Sequence, residues 1–197
     1  GAYSCAVRSD GRVRCWGRYG MSGDAGVAET AAPYEVAGLT DAIEVTVSPD
    51  TTGTACALRA GGQVVCWSIR TRTAPEPVAQ LPVVVHVTSG SSHRCALTAE
   101  GEVFCWGTNR FGKLGRGADT SAEVPARVRG LAPVRTVSAS EIQTCAVTRD
   151  GQVWCWGRNS SSALGDGVAS GHGCPVEGED CSFAPVRVVG LDAASSV

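Results

Sequence analysis

The chain has 197 residues, 43% of them hydrophobic and 18% charged, with a formal net charge of −2. That composition suits a folded domain with a sizeable core and excludes a disordered chain. Without a cationic excess, nucleic-acid binding through phosphate contacts is not expected, and no apolar run approaches the ~18 residues of a membrane span.

In chain order the first element is a hairpin. Cys5 and Cys15 bracket Asp10-Gly11, and the same C-x9-C spacing returns at Cys56/Cys66, Cys95/Cys105 and Cys145/Cys155, around Gly61-Gly62, Glu100-Gly101 and Asp150-Gly151. Apolar-rich flanks around a central glycine predict a β-hairpin with a three-residue loop. If Ser9-Asp10-Gly11 is the loop and Arg8 and Arg12 close it, Cys5 faces Cys15 as a non-hydrogen-bonded pair, with Cα atoms ~4.5 Å apart. A disulfide accepts that spacing at the low edge of its range. Each bridge would contribute about 2–3 kcal/mol on the chain-entropy model. Reduced buried cysteines and a metal site are the rival readings. Structural zinc prefers C-x2-4-C pairs, which do not occur, and only His86, His93 and His172 could add ligands. Ten cysteines allow many connectivities, of which hairpin pairing is the simplest. Disulfides imply an oxidising compartment: periplasm, cell surface or exterior.

The hairpins mark four repeats, at approximately 1–45, 46–86, 87–136 and 137–197, within one domain. Each offers about four short strands: one before the hairpin, as at 134–138, two in it, and one after it, as at 185–189. Repeat two lacks the Gly-Leu-Gly loop and has a short Pro-bearing link. Repeat four carries an insert between Gly167 and Phe183, where Cys174 and Cys181 could close a small loop bearing Glu177, Glu179 and Asp180. No helical period of ten residues stands out. The fold class is all-β: a β-propeller of four-stranded antiparallel blades, about four of them present.

The recurring C-A-[LV]-x-x-[DE]-G-x-V-x-C-W-G, followed by N-x-F-G-K-L-G and P-x-x-V-x-G-L, resembles the regulator-of-chromosome-condensation repeat. Cys95-Ala96-Leu97, Gly101, Val103, Trp106-Gly107, Gly112, Leu114-Gly115 and Gly130-Leu131 carry the likeness best. The resemblance implies a propeller usually of seven blades, so four repeats would form a partial or open ring. Leu191–Val197 aligns with Leu39–Val45, which suggests a fragment of a longer propeller, with self-association as an alternative if the ring is open. The added cysteine pairs resemble the exported bacterial branch of the family.

Function is sought first in catalysis. No triad, carboxylate pair or phosphate loop stands out, and His93 occupies a position where the resemblance implies a structural hydrogen-bonding residue. Trp16, Trp67, Trp106 and Trp156 each follow the second cysteine of a pair and read as blade packing. The loops leaving the third strands share arginine and aromatic residues: Arg18, Tyr19, Arg70, Arg72, Arg110, Phe111 and Arg158. Three of the opposite hairpin turns carry Asp10, Glu100 and Asp150. A propeller places these on opposite rims, so the arginine rim is the candidate binding surface for an anionic partner. The expectation is a non-catalytic module in an exported bacterial protein, presenting loops to a protein or cell-surface partner, with no cofactor or metal. The alternatives are an inhibitor of a secreted hydrolase, or a regulator like the family's guanine-nucleotide exchange factors, although no β-wedge insertion of that kind is evident.

Overall fold

The computed structural model describes residues 2–18, 30–49, 53–117, 120–168, 173–175, 178–191 and 193–197. Fifteen strands lie among them, in four antiparallel sheets. The first sheet holds β1 (Ala2–Val7), β2 (Val13–Arg18) and β3 (Thr30–Glu35). The second holds β4 (Ala42–Val47), β5 (Thr54–Arg59), β6 (Val64–Ser68) and the two-residue β7 (Glu76–Pro77). The third holds β8 (His86–Ser89), β9 (His93–Leu97), β10 (Val103–Gly107) and β11 (Ala122–Arg127). The fourth holds β12 (Val134–Ala139), β13 (Gln143–Thr148), β14 (Val153–Arg158) and β15 (Cys181–Arg187). This is an all-β arrangement of propeller blades forming an arc.

The hairpins follow from their turns. Arg8 N–H donates to Arg12 O at 2.8 Å, and Cys5 lies opposite Cys15 in register. Disulfides join Cys5–Cys15, Cys56–Cys66, Cys95–Cys105 and Cys145–Cys155, with Cα–Cα distances of 4.1, 4.0, 4.2 and 4.1 Å. A fifth joins Cys174 to Cys181. These are the close separations of non-hydrogen-bonded antiparallel pairs.

The sheets stack face against face, so the inner ones are buried on both sides. Their hairpin strands therefore read as apolar runs rather than clean alternation. The bridges of the first three blades face the following blade, while Trp67, Trp106 and Trp156 face the preceding one. Trp67 packs with Val13, Cys15 and Leu39, Trp106 with Cys56 and Leu58, and Trp156 with Cys95, Cys105 and Leu114.

Backbone hydrogen bonds repeat at every junction. The carbonyl of a hairpin glycine accepts the N–H that begins the next blade's inner strand: Ala42 to Gly11 at 2.9 Å, Val84 to Gly62 at 3.0 Å and Val134 to Gly101 at 2.9 Å. Ala194 to Gly151, at 3.0 Å, continues the series, in keeping with the alignment of 191–197 on 39–45. Gly101 shows why glycine is needed: its φ is +91°, and a Cβ there would lie 2.7 Å from Val134 N.

The inner strands are also tied side by side. Ser89 N–H donates to Thr46 Oγ1 at 3.1 Å and Ala139 N–H to Thr88 Oγ1 at 3.2 Å. His86 spans three blades: Nδ1 lies 2.7 Å from Glu44 Oε1 in β4, and Nε2 lies 3.1 Å from Val137 O in β12. Both partners are acceptors, and only the imidazolium has two N–H groups to satisfy them. The hydrogen bond that His86 donates to Glu44 accordingly raises the His86 pKa, against the opposing effect of burial.

A raised folded-state pKa means that this strut contributes fully below the unfolded value of about 6.5 and is lost as pH rises through the folded value. The urea midpoint should therefore be higher at pH 5.5 than at pH 9. Glu44→Gln should shrink that difference, and an unchanged pH dependence in Glu44→Gln would refute the assignment.

Candidate functional site

The loops after β10 and β14 are built alike. Buried Asn109 and Asn159 accept N–H bonds from Leu114 at 2.9 Å and Leu164 at 3.0 Å through their Oδ1 atoms. Each loop thereby folds inward through a single 3-10 turn, at Arg110–Gly112 and Ser160–Ser162, and seats its leucine in the core. Gly115 is required in the first loop, because a Cβ there would approach Trp156 Nε1 to 2.8 Å.

Beneath this loop lies a buried polar joint between the third and fourth blades. Trp156 Nε1 donates to Lys113 O at 2.8 Å, and Thr144 Oγ1 donates to the same carbonyl at 3.1 Å. Thr144 Oγ1 then accepts from His93 Nε2 at 2.8 Å, which places the ring's single proton on Nε2. Burial, aided by Lys113 and Arg94, pushes the His93 pKa down to about 3. His93 is thus a neutral strut with its proton committed, and it bonds across blades rather than within one.

Above the joint the loop tips enclose a cavity of about 450 Å³. Its lining includes Ser92, Arg110, Phe111, Lys113, Arg158 and Glu179. The Phe111 ring is 7% exposed and lies under two guanidinium groups, Arg110 at 4.8 Å and Arg158 at 5.1 Å from its centroid. Its φ of +68° is costly for an aromatic residue. Lys113 is only 4% exposed, with Nζ donating to Ser92 Oγ at 3.0 Å. Arg158 makes a two-pronged pair with Glu179, Nε to Oε2 at 2.7 Å and Nη2 to Oε1 at 2.5 Å. Glu141 stands exposed at the margin.

The structure thus gathers Arg110, Phe111 and Arg158 into one site. Arg72 lies elsewhere, 4.6 Å from the Tyr34 ring centroid, beside a hollow of about 390 Å³ between the first two blades. Arg70 follows the short β6 and joins neither group. Arg18 ends β2, and Tyr19 lies outside the described residues, as do Glu177 and His172. Sequence reasoning missed Lys113 as a pocket residue, since a lysine in a loop ordinarily signals solvent. It noted Glu179 in the stapled insert but not its pairing with Arg158.

The arrangement offers aromatic surface and fixed cations to a bound group. Among the described residues, no three His, Cys, Asp or Glu groups converge as a metal site, and no helix is long and apolar enough to cross a membrane.

Comparison with known proteins agrees with the repeat pattern. Two models of the "Regulator of chromosome condensation (RCC1) repeat" match, one over residues 100–147 and the other over 84–113 and 143–162. A comparison with curated protein sequences gave no match. Among solved structures, Prp20p from Saccharomyces cerevisiae, described with its binding properties to Gsp1p and histones, superposes with a TM-score of 0.79 at 21% identity, over 99% of this chain and 52% of that one. Yeast RCC1 (Prp20) bound to Kap60 gives 0.77 at 20%, over 98% and 50%. Human WBSCR16 gives 0.72 at 22%, over 95% and 50%. The chain spans about half the length of these proteins, and the likeness establishes the fold.

These findings correct the expectation of an exported bacterial protein. These three structures are yeast and human proteins, so the bacterial lineage, the periplasmic, cell-surface or extracellular placement and the cell-surface binding role are withdrawn. The physical reason is that C-x9-C is a local consequence of hairpin register. Any lineage can place two cysteines opposite one another across a three-residue loop.

Two measurements check the joint. Thr144→Val should cost about 1–3 kcal/mol in urea unfolding by orphaning buried groups. In NMR, the His93 ring should not titrate between pH 5 and 8, whereas the His86 ring should titrate above the ordinary histidine value.

Proposed function

We propose that this chain is part of an RCC1-repeat regulator that works by binding another protein, in the manner of an exchange-factor-like module rather than a secreted binder. The observation that carries the reading is the superposition on Prp20p across nearly the whole chain, in a protein whose own partners are described as Gsp1p and histones. The cavity between the third and fourth blades supplies the contact surface. Phe111 gives a rigid apolar anchor flanked by guanidinium groups, the residue types that dominate protein interfaces. The partner class is a Gsp1p-like protein presenting an anionic surface to the arginine rim. The chain's role is to hold loops in fixed relation, and any effect on a partner's nucleotide would arise from binding energy.

Gsp1p is the first protein to test. Immobilised Gsp1p should retain the protein, and Arg110→Glu with Arg158→Glu should weaken retention at least tenfold while leaving the thermal midpoint within a few degrees. Accelerated release of a fluorescent guanine nucleotide would extend the reading to exchange. No retention, or retention indifferent to the double substitution, would overturn it.

A further inference from the structure

We infer that Glu179 is a built-in occupant of the rim pocket, standing where an acidic side chain of a partner docks, so that the Cys174–Cys181 loop sets how readily the pocket opens to an acidic peptide. The inference rests on the rim reading above and adds the chemistry of the bound group and its competitor.

The insert of the fourth repeat supplies the observation. It brings Glu179 onto the guanidinium edge of Arg158, at 2.7 and 2.5 Å, while that same guanidinium lies 5.1 Å from the Phe111 ring centroid. A carboxylate held against an arginine beside a buried aromatic ring shows which chemistry this position accepts. Arg110 and Lys113 line the same cavity, so further cationic groups surround the place that Glu179 occupies. An incoming Asp or Glu side chain can make the same two-pronged contact only by displacing it.

The position of Glu179 is set by its neighbours. Cys181 lies opposite Arg158 in the β14–β15 register and is bridged to Cys174, seven residues back, with a Cα–Cα distance of 5.0 Å. Asp180 is fastened twice to Asn159: its carbonyl accepts the Asn159 N–H at 2.7 Å, and its carboxylate accepts from Nδ2 at 2.7 Å. With its C-terminal neighbours held this way, Glu179 occupies a small volume close to Arg158. Confinement gives it a high effective concentration as an internal competitor. Removing the bridge lengthens the tether and weakens the competition.

The probe is a fluorescein-labelled heptapeptide of alternating Glu and Asp, with alternating Gln and Asn as its neutral counterpart, read by anisotropy on the intact protein. Glu179→Gln should bind the acidic probe at least threefold more tightly than the unaltered chain. Cys174→Ser with Cys181→Ser should fall between the two. Arg158→Gln should bind more weakly than the unaltered chain and should cancel the gain when combined with Glu179→Gln. The inference is overturned if Glu179→Gln gains nothing, if the neutral probe gains equally, or if the gain survives loss of Arg158. Glu179→Gln leaves both cysteines in place, so its result stands even if the double serine variant fails to fold. A gain in peptide binding with no retention on Gsp1p would sink the proposed partner and leave this inference standing. Retention on Gsp1p that needs Arg158 but ignores Glu179→Gln would do the reverse.

Discussion

Each blade is fastened to the next through the carbonyl of its hairpin glycine, and the remaining geometry depends on that contact. The turn must bring bare backbone against the start of the neighbouring inner strand, which a side chain would prevent. Because the bond recurs at all three junctions between the four sheets with lengths of 2.9–3.0 Å, successive sheets meet with the same offset. The inner strands then lie close enough for Thr46 and Thr88 to bond the backbone of the next blade. The same offset brings the loops after β10 and β14 to one rim, where they close a shared cavity.

Two histidines illustrate how position in this stack decides chemistry. His86 lies among the inner strands between a carboxylate and a carbonyl, and the charged ring is favoured. His93 lies deep between blades beside a hydroxyl that already donates elsewhere, and the neutral ring is favoured. Both are inter-blade struts. Their protonation states differ because one faces two acceptors and the other is buried near cations.

The hairpins and the blade pattern were legible because short-range rules determine them. Cysteine spacing, a central Gly and the tryptophan after each second cysteine all express one register. The partners of the rim residues were not legible, because they lie far apart in sequence. Nothing local announces that Thr144 reaches the Lys113 carbonyl, or that Glu179 reaches Arg158 across 21 residues. Grouping all the loop arginines into one rim was too coarse for the same reason. Arg72 precedes the short link of the second blade and stacks on Tyr34 of the first, whereas Arg110 is carried on a loop that folds inward on an asparagine and Arg158 ends the strand leading into another such loop. Lineage and cellular address were misread because hairpin cysteine pairs report geometry rather than ancestry.

Departures from the repeat therefore carry the site. A strictly regular arc would present the same loop at every junction and offer no preferred place to bind. In the second blade the missing Gly-Leu-Gly loop leaves a two-residue outer strand and removes the counterpart of Phe111. In the third blade Phe111 adopts a left-handed conformation, and its ring lies beneath the arginine of its own loop and that of the next blade. In the fourth blade the insert places the Glu179 carboxylate against Arg158. Among the described residues, an anchor ring, two converging guanidinium groups and a competing acid coincide at the junction of the third and fourth blades. The regular contacts hold these irregular loops at fixed separation, so rigidity comes from the repeated elements and selectivity from the altered ones.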